Sequence, residues 1–600
     1  MRRVRVVLAV GAAAGVLGGS GWAAVGVDAQ AEAGGPPSSA CGERVEALLG
    51  DMRVEEKIGQ LVMVLNTPAF GDFVDTAALI RDYGVGSVVS HAYFGLGAAD
   101  AAAYNGSLQA AAAATRLGVP ILNAADFEAG VNILVAEGTP LPTQMGLAAV
   151  RNPRAAAAAA SITATEADAL GFDWTFSPLA DVLTTPLNGE QGVRTFSASP
   201  TLSALLAATQ VQAFQGRGLV ATAKHFPGMG GSPVNSHFAL PVVDYDRATL
   251  ERMHLPPFRA AILAGVEAIM TGHIVVEAVD PELPATLSRK VTTDLLREEL
   301  GFEGVVITDS MTLGAVVNRW GIGEAAVMAI EAGADIVMEI GPTIVPLLAL
   351  DAIGAAVADG TISEERVDAS ARRVLSLKCR YGLLDDASVD PARAAAEVGT
   401  AANVAAGAEL SRRAVTLVRN RGVLPFDAGA GDTTLVAGVT HPMDGVIGMP
   451  PTSFVPSLAS AVARVAAGPV VAWAAESEDP TEQEIAAAVE AAADADRILV
   501  ATYAAGALPG GQARLVDALR RTGKPLVAVA TGTPYDLASY PDADAYVAAY
   551  ALSFLPAYSF SQSLLDAAVE VVFGAEPGGR LPVAIGDLYR LGHGLGYRGP

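Results

Sequence analysis

Residues 301–311 read GFEGVVITDSM, in which a continuous apolar run ends on a carboxylate, Asp309. A β-strand that is apolar at nearly every position is buried on both faces, as the strands of a parallel sheet are. Asp309 then stands at the carboxyl end of the strand, where such sheets carry their functional groups. The segment therefore predicts a buried parallel strand that presents one fixed carboxylate.

Seven further runs of this kind lie between about residues 55 and 340, separated by Ala-rich segments of helical length. Strands alternating with helices are typical of βα units, and eight units favour a closed (β/α)8 barrel of the TIM type. The predicted strands are Gln60–Val64, Ser87–His91, Pro120–Asp126, Trp174–Asp181, Val220–Phe226, Ala268–His273, Val305–Ser310 and Ala334–Glu339.

Polar side chains concentrate at the carboxyl ends of these predicted strands, which is the barrel face on which active sites form. Asp126, Lys224, His225 and Asp309 stand there as candidate functional residues. For other polar residues at strand ends, helix capping or a hydrogen bond to a neighbour is the favoured explanation. That second group consists of His91, Asp181, His273 and Glu339.

A second domain is expected because 600 residues exceed what one hydrophobic core accommodates. The later part of the chain again alternates strand-like runs with Ala-rich helical segments, which favours an open α/β sandwich. We predict an N-terminal extension at 32–50, a barrel at 51–385, a linker at 386–410 and the sandwich at 411–600. The predicted strands of the sandwich are Thr433–Thr440, Val470–Ala475, Arg497–Ala501, Pro525–Gly532 and Ala545–Tyr550.

The N-terminus has the pattern of an export signal at residues 1–31. MRRVR is a basic start, the run from Val6 to Val27 is uncharged, and Ala29-Gln30-Ala31 is a small-x-small cleavage site. We expect cleavage and a location outside the cytoplasm, either secreted, periplasmic or in the cell envelope. An uncleaved membrane anchor is the alternative, which the many Ala and Gly of the run disfavour.

Composition excludes several functional classes. The formal net charge of −25 argues against nucleic acid as a partner. The chain has only two cysteines, Cys41 and Cys379, and no CxxC motif, so a zinc ribbon is not expected. In an oxidising compartment the two can pair, although the sequence does not show that they are close. Because no cluster has the spacing of zinc or calcium ligands, we expect no metal and no cofactor.

The richest segment for chemistry is KHFPGMGGSPVNSH at residues 224–237, a strand end followed by a loop with three Gly and two Pro. Such a loop is mobile yet shaped, as active-site loops are. The basic pair Lys224 and His225 can hydrogen-bond sugar hydroxyls. A loop histidine such as His237 can transfer a proton near neutral pH.

These motifs together resemble glycoside hydrolase family 3, in particular its β-N-acetylglucosaminidase branch. GFEGVVITDSM, KHFPG with the later SH, Asp126-Phe127-Glu128 and GVRTFS at 192–197 occur in the family's order. Three later segments resemble the family's second domain. They are SRRAVTLVRNRGVLPF, FGAEPGGRLPVAI and GHGLGYR, the last of which ends at residue 598. The resemblance covers about residues 45 to 600.

The resemblance implies a retaining double displacement in which Asp309 is the nucleophile and forms a covalent glycosyl-enzyme. His237 matches the loop histidine that the branch uses as general acid/base. The residues that match sugar-binding positions are Asp126, Arg194, Lys224 and His225. For Arg194, an ion pair with Asp126 or Asp181 and no contact with substrate is the alternative.

The chain departs from the branch's pattern at several positions. Asn235 stands where the branch has an Asp beside its loop histidine, and it can orient the His237 imidazole but cannot stabilise an imidazolium by charge. Met229, Gly231 and Leu134 also replace residues that are usually polar or charged. The nucleophile strand is intact, whereas the partner of the acid/base is altered.

The expected function is therefore that of an exported β-N-acetylhexosaminidase acting on a small β-linked N-acetylglucosaminide. One alternative is a β-N-acetylglucosaminide phosphorylase or another β-glycosidase of the same family, since a histidine repels phosphate less than a carboxylate does. The other alternative is a catalytically weakened sugar-binding protein that kept the pocket. The sequence leaves the oligomeric state open.

Overall fold

In the computed structural model, the described residues are 39–68, 73–91, 95–441, 452–504, 510–552 and 561–597. The predicted export signal at 1–31 lies outside these residues. Within them, every helix is too short or too polar to cross a bilayer.

The first domain is a closed barrel of eight parallel strands in which each strand pairs with its neighbours in sequence and the first pairs with the last. The predicted TIM-type barrel is thus confirmed. Its strands are β1 Val62–Asn66, β2 Ser87–Ser90, β3 Leu122–Ala125, β4 Trp174–Thr175, β5 Val220–Phe226, β6 Ala268–Thr271, β7 Val305–Ser310 and β8 Ile336–Glu339.

The barrel is filled by one face of each strand and covered by helices on the other face. Met63, Trp174, Ile307 and Met338 belong to the buried cluster inside the barrel. The alternate residues pack outward against the helical layer, as the two-residue period of a strand requires. This alternation sets the direction of Asp309, which lies two residues after the inward-facing Ile307.

Several barrel strands end earlier than the sequence predicts. The strand predicted at Trp174–Asp181 is regular only over Trp174–Thr175. Pro178 lacks the N–H that a continuous ladder needs, and pairing resumes as an isolated bridge between Leu179 and Lys224. Asp126 and His273 likewise follow β3 and β6 instead of ending them. Asp126 and His273 therefore stand on loops at the barrel mouth.

Helices surround the barrel, and polar N-caps begin several of them, as Asn152 and Ser199 do. The α-helices of this domain are Ser39–Asp51, Val54–Gln60, Thr76–Tyr83, Ala98–Ala113, Gln144–Val150, Pro153–Ala169, Pro200–Gln215, Arg247–Thr249, Leu255–Leu263, Gly314–Val317, Ile322–Ala332, Ile344–Ala358 and Glu364–Arg380. Two segments are π-helical, Leu250–His254 and Lys290–Glu299.

The second domain is a six-stranded mixed sheet between helices, which confirms the predicted α/β sandwich. Its strands are β9 Thr416–Asn420, β10 Thr434–Gly438, β11 Val470–Ala474, β12 Arg497–Thr502, β13 Leu526–Ala530 and β14 Ala545–Ala548. The order is β9-β14-β13-β12-β10-β11, and β9 alone runs antiparallel to its neighbour. The helices packed on it are Val455–Val465, Glu482–Ala491, Gly511–Arg520 and Gln562–Val572.

The stretch predicted as a linker, 386–410, is folded in the structure. It contains the helix Pro391–Glu397 and most of the helix Ala401–Ala414. Arg393 of the first helix pairs with Asp168 of the barrel domain at 2.6 Å. The connection is therefore part of the packed structure and not an extended tether.

The two domains are joined by hydrogen bonds that start from the loop after β3 and the loop after β4. Thr143 Oγ1 donates to the carbonyl of Tyr550 at 2.7 Å, and Ser197 Oγ donates to that of Pro582 at 2.5 Å. The contact of Ser197 holds the segment around residues 188–197, which carries two charged residues of the site described below.

Cys41 and Cys379 form a disulfide whose Cα atoms are 6.0 Å apart. The sequence left this pairing open. The helix Ser39–Asp51 packs along the helix Glu364–Arg380, so that the bond fastens the N-terminal extension to the last helix of the barrel domain.

Candidate active site

Asp309 lies at the carboxyl end of β7 and points into the barrel mouth. Its Oδ1 accepts a hydrogen bond from the backbone N–H of Ser310 at 2.7 Å. The side chain keeps 17% of its surface exposed, so a ligand can reach it. Asp309 is therefore a carboxylate that is both fixed and accessible, as a nucleophile must be.

His225 lies between two carboxylates. Its Nδ1 donates to Asp181 Oδ2 at 2.8 Å, and its Nε2 is 3.9 Å from Asp309 Oδ2. Asp181 is fully buried and also accepts the backbone N–H groups of His225 and Met229. Asp181 thus fixes both the ring and the loop that begins after β5. The sequence suggested only that Asp181 caps a helix or hydrogen-bonds a neighbour, without naming these partners.

His273 supports the strand that carries Asp309. Its Nε2 donates to the carbonyl of Ser310 at 2.8 Å, and its Nδ1 lies 2.9 Å from the Thr286 hydroxyl. Burial lowers the pKa of His273 despite the nearby charge of Asp309. A neutral ring with one donor and one acceptor suits these two contacts.

A second cluster of charges joins the ends of β3 and β5 to the loop after β4. Lys224 Nζ is 2.5 Å from Asp126 Oδ1 and 2.9 Å from Glu128 Oε1. Arg194 makes a bidentate pair with Glu128, at 2.9 Å and 2.7 Å. The structure thus brings together three of the predicted sugar-binding residues, Asp126, Arg194 and Lys224.

Electrostatics holds this cluster in its charged form. Burial favours the neutral form of Asp126, but the contacts with Lys224 and His91 together outweigh burial and lower the pKa of the carboxyl well below its usual range. Burial also opposes the charge on Lys224, yet Asp126 and Glu128 raise its pKa. The cluster therefore presents fixed donors and acceptors to polar substrate groups.

Glu128 is a site residue that sequence reasoning did not select. It is 3% exposed and binds both Lys224 and Arg194. The Arg194 pairings considered from sequence were with Asp126 and Asp181, whereas the bidentate partner in the structure is Glu128. The available signal was its place in the Asp126-Phe127-Glu128 run, two residues beyond a candidate ligand.

His237 lies on the loop after β5, beside the segment that follows Asp309. The carbonyl of His237 accepts a hydrogen bond from Gly314 N at 3.0 Å, and that of Ser236 accepts one from Ala315 N at 3.0 Å. Asn235 Oδ1 accepts from both the backbone N–H and the ring Nδ1 of His237, each at 2.9 Å. The predicted orienting contact of Asn235 is thus present in the structure.

Glu190 is the second charged residue that sequence reasoning missed. Its carboxylate accepts from the Ser236 hydroxyl at 2.5 Å and from Ser236 N at 2.9 Å. Its Oε1 is 3.6 Å from Nδ1 of His237. No local pattern marks Glu190, because only the folded loops bring residues 190 and 237 together.

Met229, which stands where the branch usually has a polar or charged residue, lies in the same loop as His237. It is 1% exposed and packs against Gly272 at the end of β6. The site consequently has an apolar side chain beneath the loop. Among the described residues there is no group of three or more metal-binding side chains arranged to hold an ion.

Comparison with known proteins assigns the family. Residues 53–377 match the Glycosyl hydrolase family 3 N terminal domain, and residues 415–596 match the Glycosyl hydrolase family 3 C-terminal domain. Together the two matches cover nearly all of the described chain.

Individual relatives agree with this assignment. The chain is 32% identical over 395 residues to a "Beta-N-acetylglucosaminidase/beta-glucosidase" of Cellulomonas fimi, covering 64% of this chain and 67% of that protein. It is 30% identical over 377 residues to "Beta-hexosaminidase A" of Pseudoalteromonas piscicida, covering 59% of this chain and 62% of that one. The chain thus spans about two thirds of the length of these relatives.

A solved structure extends the likeness over both domains. It is the structure of a glycoside hydrolase family 3 beta-N-acetylglucosaminidase from Paenibacillus sp. str. FPU-7, with 32% identity and a TM-score of 0.78. The superposition covers 89% of this chain and 99% of that chain. With its two-domain fold and both family domains matched in order, the chain belongs to glycoside hydrolase family 3.

Proposed function

We propose that this chain is a retaining β-N-acetylhexosaminidase that removes terminal β-linked N-acetylglucosamine by double displacement. The observation that carries the proposal is the geometry of Asp309, which is fixed by Ser310 N and remains accessible at the barrel mouth. The relatives named for N-acetylglucosaminidase and hexosaminidase activity support this substrate class.

In the first step an Asp309 carboxylate oxygen attacks the anomeric carbon while His237 donates a proton to the leaving oxygen. The bond to the leaving group breaks and a glycosyl ester with Asp309 forms. In the second step His237 accepts a proton from water, whose oxygen attacks the anomeric carbon and releases the sugar and the Asp309 carboxylate. Both glycosyl transfers invert the anomeric carbon, so the configuration is retained.

The charged cluster beside the nucleophile binds the sugar in this scheme. Asp126 accepts from sugar hydroxyls, and Lys224 and Arg194 donate to them. Because the buried partner Glu128 holds both cations, these donors are ordered before substrate arrives, which reduces the entropy lost on binding. His225, fixed by Asp181, lies close to the carboxylate that attacks.

The test is turnover of 4-nitrophenyl β-N-acetylglucosaminide in comparison with 4-nitrophenyl β-glucoside. We expect the N-acetylglucosaminide to be the better substrate and Asp309→Asn to remove at least 99.9% of the turnover, about 4 kcal/mol of barrier. Mass spectrometry of the quenched enzyme should find the glycosyl group on the peptide that contains Asp309. Undiminished turnover in Asp309→Asn would exclude this carboxylate as the nucleophile.

A β-glucosidase is the second candidate, since the Cellulomonas fimi relative is named for both activities. A higher kcat/KM on the glucoside would favour it. Product analysis with inorganic phosphate present separates hydrolysis from phosphorolysis, because only a phosphorylase forms the sugar 1-phosphate. Stoichiometric sugar binding without any turnover would favour the weakened sugar-binding protein.

We also propose that the protein acts outside the cytoplasm after cleavage behind Ala31. The disulfide between Cys41 and Cys379 supports an oxidising compartment. N-terminal sequencing of the protein recovered from the culture medium or cell envelope should begin at Glu32. Recovery of the intact N-terminus from the membrane fraction would indicate the uncleaved anchor instead.

A further inference from the structure

The imidazole of His237 has two oxygen atoms next to its Nδ1. One is the amide oxygen of Asn235 at 2.9 Å, and the other is a carboxylate oxygen of Glu190 at 3.6 Å. An amide oxygen accepts the N–H but carries no net charge. Of these two partners, only Glu190 can offset the positive charge that the ring gains on protonation.

The Glu190 carboxylate is held rigidly in this position. Ser236 donates to it through both its hydroxyl and its backbone N–H, and the side chain is only 5% exposed. The loop that carries it is fastened by Asn188, whose side-chain amide donates to the carbonyl of Met229 at 2.8 Å. The position of the carboxylate beside the ring is therefore set by the hydrogen bonds between two adjoining loops.

Glu190 is ionised near neutral pH. Burial alone raises the pKa of this carboxyl, but the contacts with His237 and Ser236 outweigh burial and lower it to about 2. A buried carboxylate that stays charged interacts more strongly with a neighbouring cation than a solvent-exposed one does.

We propose that Glu190 is the positioning residue of His237, which supplies from a different loop the negative charge that Asn235 lacks. It stabilises the protonated ring and, with Asn235, holds the Nδ1–H on the side away from the substrate, so that Nε2 carries the transferred proton. The inference rests on the proposed role of His237 as acid/base. It explains how the His237 ring has a negatively charged partner although the residue at position 235 is an Asn.

Other charged and titratable groups face this pair from the neighbouring elements, and they do not duplicate the role of Glu190. Arg194 donates to the backbone carbonyl of Glu190 at 3.4 Å and is neutralised by Glu128. His273 on the loop after β6 interacts electrostatically with Glu190 and Asp309, but burial lowers its pKa and so disfavours a charge on its ring. A change in the ionisation of His237 after mutation of Glu190 is therefore assigned to that carboxylate.

The first experiment measures the pH profile of kcat/KM for Glu190→Gln. General-acid catalysis needs the protonated ring, so loss of the carboxylate should move the alkaline limb about one pH unit lower, as the loss of a close opposite charge does. The defect should be about tenfold for 4-nitrophenyl glycosides at a pH on that limb. It should be much smaller for 2,4-dinitrophenyl glycosides, whose leaving group departs without a proton.

The second experiment separates a charge role from a structural one. Adding Asn235→Asp to Glu190→Gln restores one carboxylate next to Nδ1 and should return the alkaline limb to within a few tenths of a pH unit. Glu43→Gln is the matched control, because it removes a carboxylate of the same type from an exposed position outside the site. Its alkaline limb should stay in place, and a shift as large as that of Glu190→Gln would overturn the proposal.

The third experiment does not depend on turnover. The titration midpoint of the His237 ring, followed by NMR of 13C-histidine-labelled protein and assigned with His237→Gln, should fall by about one pH unit in Glu190→Gln. An unchanged midpoint in a folded variant overturns the proposal whether or not the enzyme is active. If the wild type hydrolyses no aryl glycoside, the proposed function fails, and the ring titration still decides the role of Glu190.

Discussion

His225 Nε2 lies 3.9 Å from a carboxylate oxygen of Asp309, and the other nitrogen of the same ring donates to Asp181 at 2.8 Å. Asp181 thereby orients the ring that lies beside the carboxylate of the proposed nucleophile. Because Asp181 Oδ2 accepts both from the ring and from the backbone N–H of His225, its position leaves the imidazole one orientation.

Replacing Asp181 by Asn should lower kcat/KM about 10- to 100-fold with KM changed less than kcat. An Asn has one accepting oxygen, so its NH2 group must face one set of the N–H donors that Asp181 accepts. The expected loss corresponds to one hydrogen bond to a charged group, about 1.5–3 kcal/mol. Steady-state kinetics on the aryl glycoside measures it.

Asp351→Asn, on the exposed surface of the helix Ile344–Ala358, is the matched control for this change. It should keep wild-type kinetics. If Asp181→Asn is folded and as active as the control, then Asp181 does not set the orientation of His225 for catalysis.

Replacing Glu128 by Gln should destabilise the folded protein by about 3–5 kcal/mol. The change leaves the buried cations of Lys224 and Arg194 short of one negative charge, and an uncompensated buried charge costs that amount. Urea denaturation followed by tryptophan fluorescence measures the free energy of unfolding.

The control for Glu128 is Glu46→Gln, which breaks an exposed ion pair with Arg372. It should cost less than about 1 kcal/mol, since exposed pairs contribute little. Equal effects of the two variants would contradict the interpretation of Glu128 as a buried charge partner.

The stability of the protein should depend on Glu190 at acid pH. The folded-state pKa of about 2 lies below the unfolded value, so the unfolded state binds the proton more readily as pH falls. The contribution is complete above about pH 4.5 and is lost between about pH 4.5 and 2, amounting to about 3 kcal/mol. Denaturation midpoints measured across this range should fall less steeply for Glu190→Gln than for the wild type.

Glu43→Gln serves as the control here, because it removes a carboxylate of the same type from an exposed position. Its acid dependence should follow that of the wild type. Parallel curves for the wild type and Glu190→Gln would mean that the carboxylate gains no net stabilisation from its partners.

The disulfide should contribute several kcal/mol to stability. It closes a loop with a sequence separation of 338 residues, and the chain-entropy relation gives about 6 kcal/mol for a loop of this length. Cys41→Ser should therefore lower the denaturation midpoint strongly, and reduction of the wild type should have the same effect.

The double variant with Cys379→Ser should be no less stable than Cys41→Ser alone, because either change removes the whole bond. A thiol assay of the unfolded wild type without reductant should find no free thiol. One thiol per cysteine in that assay would show that the bond is not formed.

Much of the fold was determined by local sequence pattern. The apolar runs around Val220–Phe226 and Val305–Ser310 have the boundaries that the structure shows, because a strand buried on both faces needs apolar residues throughout. The alternation of such runs with Ala-rich helices predicted both domains. The segment 386–410 was predicted less well, since its short helices are stabilised by packing on two domains and carry little pattern of their own.

By itself, the sequence determined where the candidate site residues lie along the chain. Asp309 lies at the end of its strand, Lys224 and His225 at the end of theirs, and His237 on the loop that follows. Only the tertiary structure decided which charges meet, namely Glu128 with Arg194 and Glu190 with His237. The reason is physical. Strand and helix periodicity depends on neighbours in sequence, whereas an ion pair depends on distances between loops that the closed barrel sets.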